Sequence, residues 1–205
     1  MALVTTTNVG HRLGPSSAPT VIEAYLDYAC PFSKLFYRRF VEDVFPYIQK
    51  TYSDQVQFIF RHQVQGWHPQ STLLAEAALA VESVDPQAFY PFSTALFAHQ
   101  QDYFDEAIYN RSWHDLHQSL ANLASQVGVD PARVQTLLAI KHSPEPKNLG
   151  NQVTGQLKSH IKLGRQQGIH VSPTVLFNGI VDNSISSSWT LDQWVEYLQT
   201  KLSKS

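Results

Sequence analysis

Thr20-Val21-Ile22-Glu23-Ala24-Tyr25-Leu26-Asp27-Tyr28-Ala29-Cys30-Pro31-Phe32-Ser33 decides how the rest of the chain is read. Its first seven residues are an almost continuous apolar run, β-branched at the start, the pattern of a strand covered on both faces. Asp27-Tyr28-Ala29 makes a short connection. From Phe32 the apolar residues recur every four: Phe36, Phe40, Val44 and Ile48 follow, with Leu35 and Phe45 beside them. That spacing predicts an amphipathic helix, and Pro46 inside it predicts a kink or break. A cysteine therefore stands between a buried strand and the first turn of a helix.

Downstream, Val56–Arg61 reads as a second strand. Strand, helix and strand at this spacing form a βαβ unit, so the two strands are expected parallel with a right-handed crossover. Both then end on one edge of the sheet, where ligands of such sheets bind. Cys30 follows the first end; His62-Gln63-Val64-Gln65-Gly66-Trp67-His68 follows the second. Upstream, residues 1–19 are polar and turn-rich, with Gly10, Gly14, Pro15 and Pro19.

From Pro69 to about Lys141 every periodic segment is helical. Leu73, Leu74, Ala77, Ala78 and Val81 make one helix. Asp85-Pro86 and Asp130-Pro131 read as N-caps followed by proline in the first helical position, and Ser112-Trp113-His114-Asp115 resembles a capping box. A further helix is predicted from about Lys147 to Gln167, closed by Gly168. Ile169-His170-Val171-Ser172-Pro173-Thr174 then leads into a hairpin, Val175–Phe177 and Ile180–Val181 joined by Asn178-Gly179. Thr190–Gln193 caps a last helix. The order is β-α-β, helical block, α-β-β-α. It divides the chain into a core, 1–64 with 146–205, and a helical insertion, 65–145.

Composition narrows the function classes. Of 205 residues, 43% are hydrophobic and 16% charged, which excludes a disordered chain. A formal charge of −2 supplies no basic field for nucleic acid or anionic membrane. Met1–Asn8 lacks the charged and apolar regions of a secretory leader, and no apolar run approaches the roughly 18 residues of a membrane span. A cytoplasmic protein without membrane or nucleic-acid partners is expected. Because Cys30 is the single cysteine, no intramolecular disulfide can form, and any thiol chemistry needs an outside partner.

The element order is that of an α/β thioredoxin-like fold with a helical insertion domain. Asp27–Ser33, at a helix start after the first core strand, resembles the active-site segment of DsbA-like thioredoxin-fold proteins. Ser172-Pro173-Thr174 before its hairpin resembles their cis-proline element. The resemblance runs from about Gly14 to Leu198, the insertion matching by type rather than by motif. It implies a cis Ser172–Pro173 bond that turns the N–H and C=O of Ser172 outward, toward an extended peptide or glutathione. The sequence departs from the dithiol pattern at Ser33, where the resolving cysteine of the family would stand.

Physical reasoning on the residues runs alongside. A cysteine at a helix N-terminus faces unpaired N–H groups and the positive end of the helix dipole, which favour thiolate over thiol. Cys30 is expected to be a partly exposed nucleophile, with Ser33 donating a hydrogen bond to its sulfur. Phe32, Ser172 and Pro173 are expected to contact substrate. His62, Gln63, Trp67 and His68 lie on the same edge, and a histidine there, or His170, suits a general base or thiolate partner; Trp67 also suits packing between core and insertion. No His-x-x-His or Cys-x-x-Cys spacing suggests a metal, and no resident cofactor is expected. The favoured activity is monothiol thiol–disulfide exchange through Cys30, with glutathione or another small thiol as co-substrate and a client protein or peptide as a further partner. Two alternatives are a non-redox glutathione-dependent transferase or isomerase resembling the kappa class, and a non-catalytic peptide-binding module.

Overall fold

A computed structural model of the chain describes residues 9–140, 144–145 and 147–202. The stretch Met1–Asn8, read above for a leader, and the insertion boundary at 146 lie outside the described residues. Among the described residues, five strands make one mixed sheet: β1 (His11–Leu13), β2 (Thr20–Leu26), β3 (Val56–His62), β4 (Thr174–Phe177) and β5 (Ile180–Val181), in the order β1-β3-β2-β4-β5. The helices are α1 (Pro31–Arg38), α2 (Phe45–Tyr52), α3 (Ser71–Val84), α4 (Phe89–Ala98), α5 (Asp105–Ile108), α6 (Trp113–Ser125), α7 (Pro131–Leu138), α8 (Thr154–Gln166) and α9 (Leu191–Leu202). The α/β thioredoxin-like architecture, with helices between β3 and β4, is the one expected.

Register places the site. β2 and β3 are parallel, with Leu26 opposite His62; β4 is antiparallel to β2, with Thr174 opposite Tyr25. The ends of β2 and β3 and the start of β4 therefore share one edge. Alternate residues Ile22, Ala24, Leu26, Phe58 and Phe60 point to one face and join Phe36, Phe40 and Trp194 in the main core. There the Phe40 ring lies 4.4 Å from Phe58 and 5.0 Å from Trp194. Tyr25, Ile169 and Leu176 form a smaller cluster apart from it. Beside them Arg61 grips Glu23 through two bonds of 2.6 and 2.8 Å, both side chains buried. Removing one partner of such a pair costs about 3–5 kcal/mol, because a buried charge is left behind.

Three differences from the sequence reading have local causes. Pro46 does not break the helix. Instead the winding loosens into a π-helical stretch, Arg39–Val44, just before it, and Phe45 N–H donates to Phe40 O, five residues back. A proline removes one helical N–H and crowds the carbonyl four residues earlier, and the wider π turn absorbs both. The helix predicted from Lys147 begins only at Thr154. Asn148 and Gly150 have positive φ, and Asn151 Oδ1 accepts from Val153 N–H and Thr154 N–H, which turns the chain before the helix starts. Finally, β1 lies in the segment read as turn-rich, pairing antiparallel with β3.

Within the insertion, α3 is the central helix, buried from Leu73 to Val81. Its one buried acid, Glu76, accepts from Asn151 Nδ2 and Thr154 Oγ1 at 2.6 Å each, fastening the start of α8 to the insertion. No helix among the described residues is long and apolar enough to cross a membrane.

Candidate active site

Cys30 is the N-cap residue of α1, extended at φ −80° and ψ 120°, with Pro31 at the first helical position. Proline is suited there because its missing N–H would have no helical partner. Two further contacts fix the loop: Cys30 N–H donates to Asp27 O at 3.1 Å, and Lys34 N–H donates back to Cys30 O at 3.2 Å. From the insertion, Gln100 Nε2 donates to both Tyr28 O (2.7 Å) and Cys30 O (3.0 Å). The Ser172–Pro173 peptide bond is cis. Across the cleft, the Cys30 thiol donates to Ser172 O at 3.4 Å.

The thiol is less open than expected: Cys30 is only 6% exposed, because the loop from α8 to β4 closes over it. Ser33 does not serve the sulfur. It is fully buried, and its Oγ accepts from Asp27 N–H at 3.2 Å. Nor does Ser172 turn both backbone groups outward. Its carbonyl takes the thiol; with the Gln65 amide assigned in the orientation that satisfies both neighbours, Ser172 N–H donates to its oxygen at 2.7 Å and its nitrogen donates to His170 O at 3.2 Å.

Asp27 is the residue that sequence reasoning passed over. Its carboxyl group is buried at the head of α1 and accepts from Ala29 N–H (2.8 Å), Gln65 N–H (2.9 Å) and Ser71 Oγ (2.6 and 2.8 Å), with His68 Nδ1 at 3.4 Å. It thereby joins the Cys30 loop, the loop after β3 and the first turn of α3. An acid just past a strand end and before a helix was the signal available. Gln65 and Gln100 carried none, since a lone glutamine points nowhere until the fold is known.

Several expected partners of Cys30 face elsewhere. His62 cannot act as its base: it is 1% exposed and turned into a cluster with His11 and His160. This corrects the sequence reading, which assigned it to the edge because it ends β3; strand alternation sends the side chain inward with Phe58 and Phe60. The Gln63 amide sits against Gly164 of α8, where an added Cβ would lie 3.1 Å from its Oε1. His68 is held by Asp27. The His170 side chain is exposed, and only its backbone joins the site. Trp67 does not pack between core and insertion; it is 63% exposed. With Phe32 (60%) and Val171 (55%) it gives each of the three segments meeting at Cys30 one exposed apolar side chain. Singly, exposed apolar residues are ordinary; these three lie on the segments that carry Cys30, Gln65 and Ser172.

A family model described as Thioredoxin matches residues 6–199. Comparison with curated proteins finds no match. Among solved structures, a Pseudomonas syringae protein provisionally named a protein-disulfide isomerase superposes with a TM-score of 0.72 at 24% identity, covering 92% of this chain and 97% of its own. BdbD from Bacillus subtilis, oxidised, gives 0.69 at 25% identity, with 95% and 93% covered. Chlamydia trachomatis DsbA gives 0.64 at 19% identity, with 100% and 96% covered. The fold is thus DsbA-like over essentially the whole chain.

Proposed function

The chain belongs to the thioredoxin family, and from that premise we propose that it is a monothiol thiol–disulfide exchange protein using glutathione or a similar small thiol. One observation carries the reading. The only cysteine caps a helix and meets the Ser172 carbonyl at 3.4 Å, while the position one helical turn on is a serine whose hydroxyl accepts from Asp27 N–H. In the first step the Cys30 thiolate attacks one sulfur of a mixed disulfide between glutathione and a client. A bond forms between Cys30 and the glutathione sulfur, and the client leaves as its thiolate. A second glutathione thiolate then attacks the adduct, releasing oxidised glutathione and restoring Cys30. The client sulfur is reduced to a thiol and the second glutathione is oxidised, the first having entered already at the disulfide level, so the electrons balance.

Burial of Cys30 admits a narrow, extended group rather than a globular surface. The apolar rim of Phe32, Trp67 and Val171 suits the client side of the disulfide. Turnover needs a supply of reduced thiol, which fits a cytoplasmic setting.

The test is intact mass after incubation with oxidised glutathione. One glutathione adduct is expected on the wild type, none on Cys30→Ser, and reduced glutathione should remove it. Saturable binding of reduced glutathione with no adduct would overturn the exchange reading.

A further inference from the structure

Sequence spacing hid a second cluster. His11 on β1, His62 at the end of β3 and His160 on α8 come together in the interior, 4%, 1% and 5% exposed. One ligating nitrogen from each lies within 4.8 Å of the other two. We infer that His11, His62 and His160 form a binding site for one divalent transition-metal ion of the imidazole-preferring class, zinc foremost.

The hydrogen-bond inventory of the cluster supports this. His11 Nδ1 meets Glu82 Oε1 at 2.6 Å, so Nδ1 carries the proton and Nε2 presents a lone pair. A carboxylate behind an imidazole in this way is the usual support of a metal-bound histidine. His11 Nε2 then faces His62 Nε2 at 3.0 Å. If His62 donates there, its own Nδ1 has only a lone pair to offer, and that atom is buried with no partner. His160 Nδ1 receives only a 3.4 Å approach from His62 N–H, at the outer limit of a hydrogen bond. A neutral imidazole has one N–H and one lone pair; His62 Nδ1 is unpartnered in either tautomer, and with the proton there the Nε2 lone pairs of His11 and His62 face each other at 3.0 Å, which a cation between them would satisfy. All three rings are buried, and the neutral imidazole is the form that binds a metal. Two cations, Arg61 and Arg12, act on His11, and the carboxylates Glu23 and Glu82 offset them, Glu82 in direct contact with the ring.

Three nitrogens around a tetrahedral ion at 2.0–2.1 Å stand about 3.3 Å apart; His11 Nε2 and His62 Nε2, at 3.0 Å, already have that spacing, so binding requires His160 to close on them, by at most about 1.5 Å. Glu82, one-third exposed, marks the side from which an ion enters. The ion would join three elements. Two of them lead to the active site: β3 continues into the loop carrying Gln65, and α8 into the loop carrying Ser172.

The experiment uses the full chain without a histidine tag, stripped with chelator and then given one equivalent of zinc or cobalt(II). Zinc should raise Tm by about 5 °C or more. Cobalt should give visible d–d bands without a thiolate charge-transfer band, in wild type and Cys30→Ser alike. His62→Phe and His160→Phe should lose both effects. Should those variants fail to fold, proton NMR of the cobalt-loaded wild type counts the ligands directly, three contact-shifted imidazole N–H signals being expected. Absence of any Tm shift and band in folded wild type overturns the proposal. So does a response that survives in both folded histidine variants, which would place the ion at surface residues such as His99 or His114.

Discussion

Cys30 Sγ and Ser172 O meet at 3.4 Å across a sequence separation of 142 residues. The sheet brings them together. β2 runs out at Leu26 and β4 starts at Thr174, opposite Tyr25, so the loop after one and the loop before the other must cross at the same edge. Gln65, from the loop after β3, completes the arrangement by taking Ser172 N–H. The backbone edge next to the thiol is therefore already engaged by the protein's own side chain.

Gln65→Ala releases that edge. Ser172 N–H then becomes available to an incoming extended group, and adduct formation with oxidised glutathione should quicken several-fold. Stability should fall by about 1–2 kcal/mol, since two backbone groups lose their partner. Stopped-flow rates and urea unfolding measure the two effects separately. A rate that falls with stability would mean that the glutamine orders the cleft rather than occupies it.

Asp27→Ala is expected to be among the most damaging polar substitutions. It strands Ala29 N–H, Gln65 N–H and the Ser71 hydroxyl in the interior at once. Each unsatisfied group costs about 1–3 kcal/mol, so a loss of about 3 kcal/mol or more is expected in urea unfolding. Asp27→Asn should cost less, because one amide oxygen still accepts. A loss under about 1 kcal/mol for Asp27→Ala would show that solvent replaces the carboxylate.

Asp182 supplies a pH signature remote from the site. Burial pushes its carboxyl up, but hydrogen bonds from Ser184, Tyr197 and Lys201 outweigh it and bring it down to about 2. The unfolded group titrates near 3.9. Its contribution is thus complete above about pH 4 and disappears as pH falls through about 2. The group is in contact with solvent, so the contribution is held to about 1 kcal/mol. Unfolding midpoints of wild type and Asp182→Asn should differ at pH 6 and converge near pH 2. A constant difference across that range would assign the effect to packing.

The parts of the fold carried by periodicity were legible in the chain. Thr20–Leu26 and Val56–Arg61 announce themselves as apolar runs, and Ser112 and Thr190 as helix caps, where the structure closes both capping boxes. β1 was not legible because three residues, two of them His11 and Arg12, carry no apolar run; pairing with β3 makes the strand. The start of α8 was misplaced because Leu149 continues the apolar spacing, yet positive φ at Asn148 and Gly150 turns the chain. At the site, Cys30 and Pro173 could be named from their neighbours in sequence. The direction of a side chain could not: Ser33 toward Asp27, His62 toward His11 and Gln65 toward Ser172 are all settled by tertiary packing. The three histidines are separated by 51 and 98 residues, far outside any ligand spacing readable along a chain.

Ser33→Cys tests what the missing second thiol withholds. Position 33 is fully buried one helical turn from Cys30, and its present hydroxyl accepts from Asp27 N–H. A thiol is a weaker acceptor, so the reduced variant should be less stable than wild type by about 1 kcal/mol. Its gain is kinetic. An internal thiol attacks the Cys30 adduct at an effective concentration far above that of free glutathione, so resolution becomes intramolecular. Closure requires the new sulfur to turn from Asp27 toward Cys30 within the geometry a disulfide demands. The variant should then reduce insulin in a turbidity assay with dithiothreitol while the wild type stays near background. It should also fail to accumulate the glutathione adduct that the wild type retains. If both thiols of the variant are free and alkylate readily while insulin stays intact, the cleft between Cys30 and Ser172 does not admit protein disulfides. The exchange reaction would then be confined to small mixed disulfides, with glutathione itself as the group that fits beneath Trp67 and Val171.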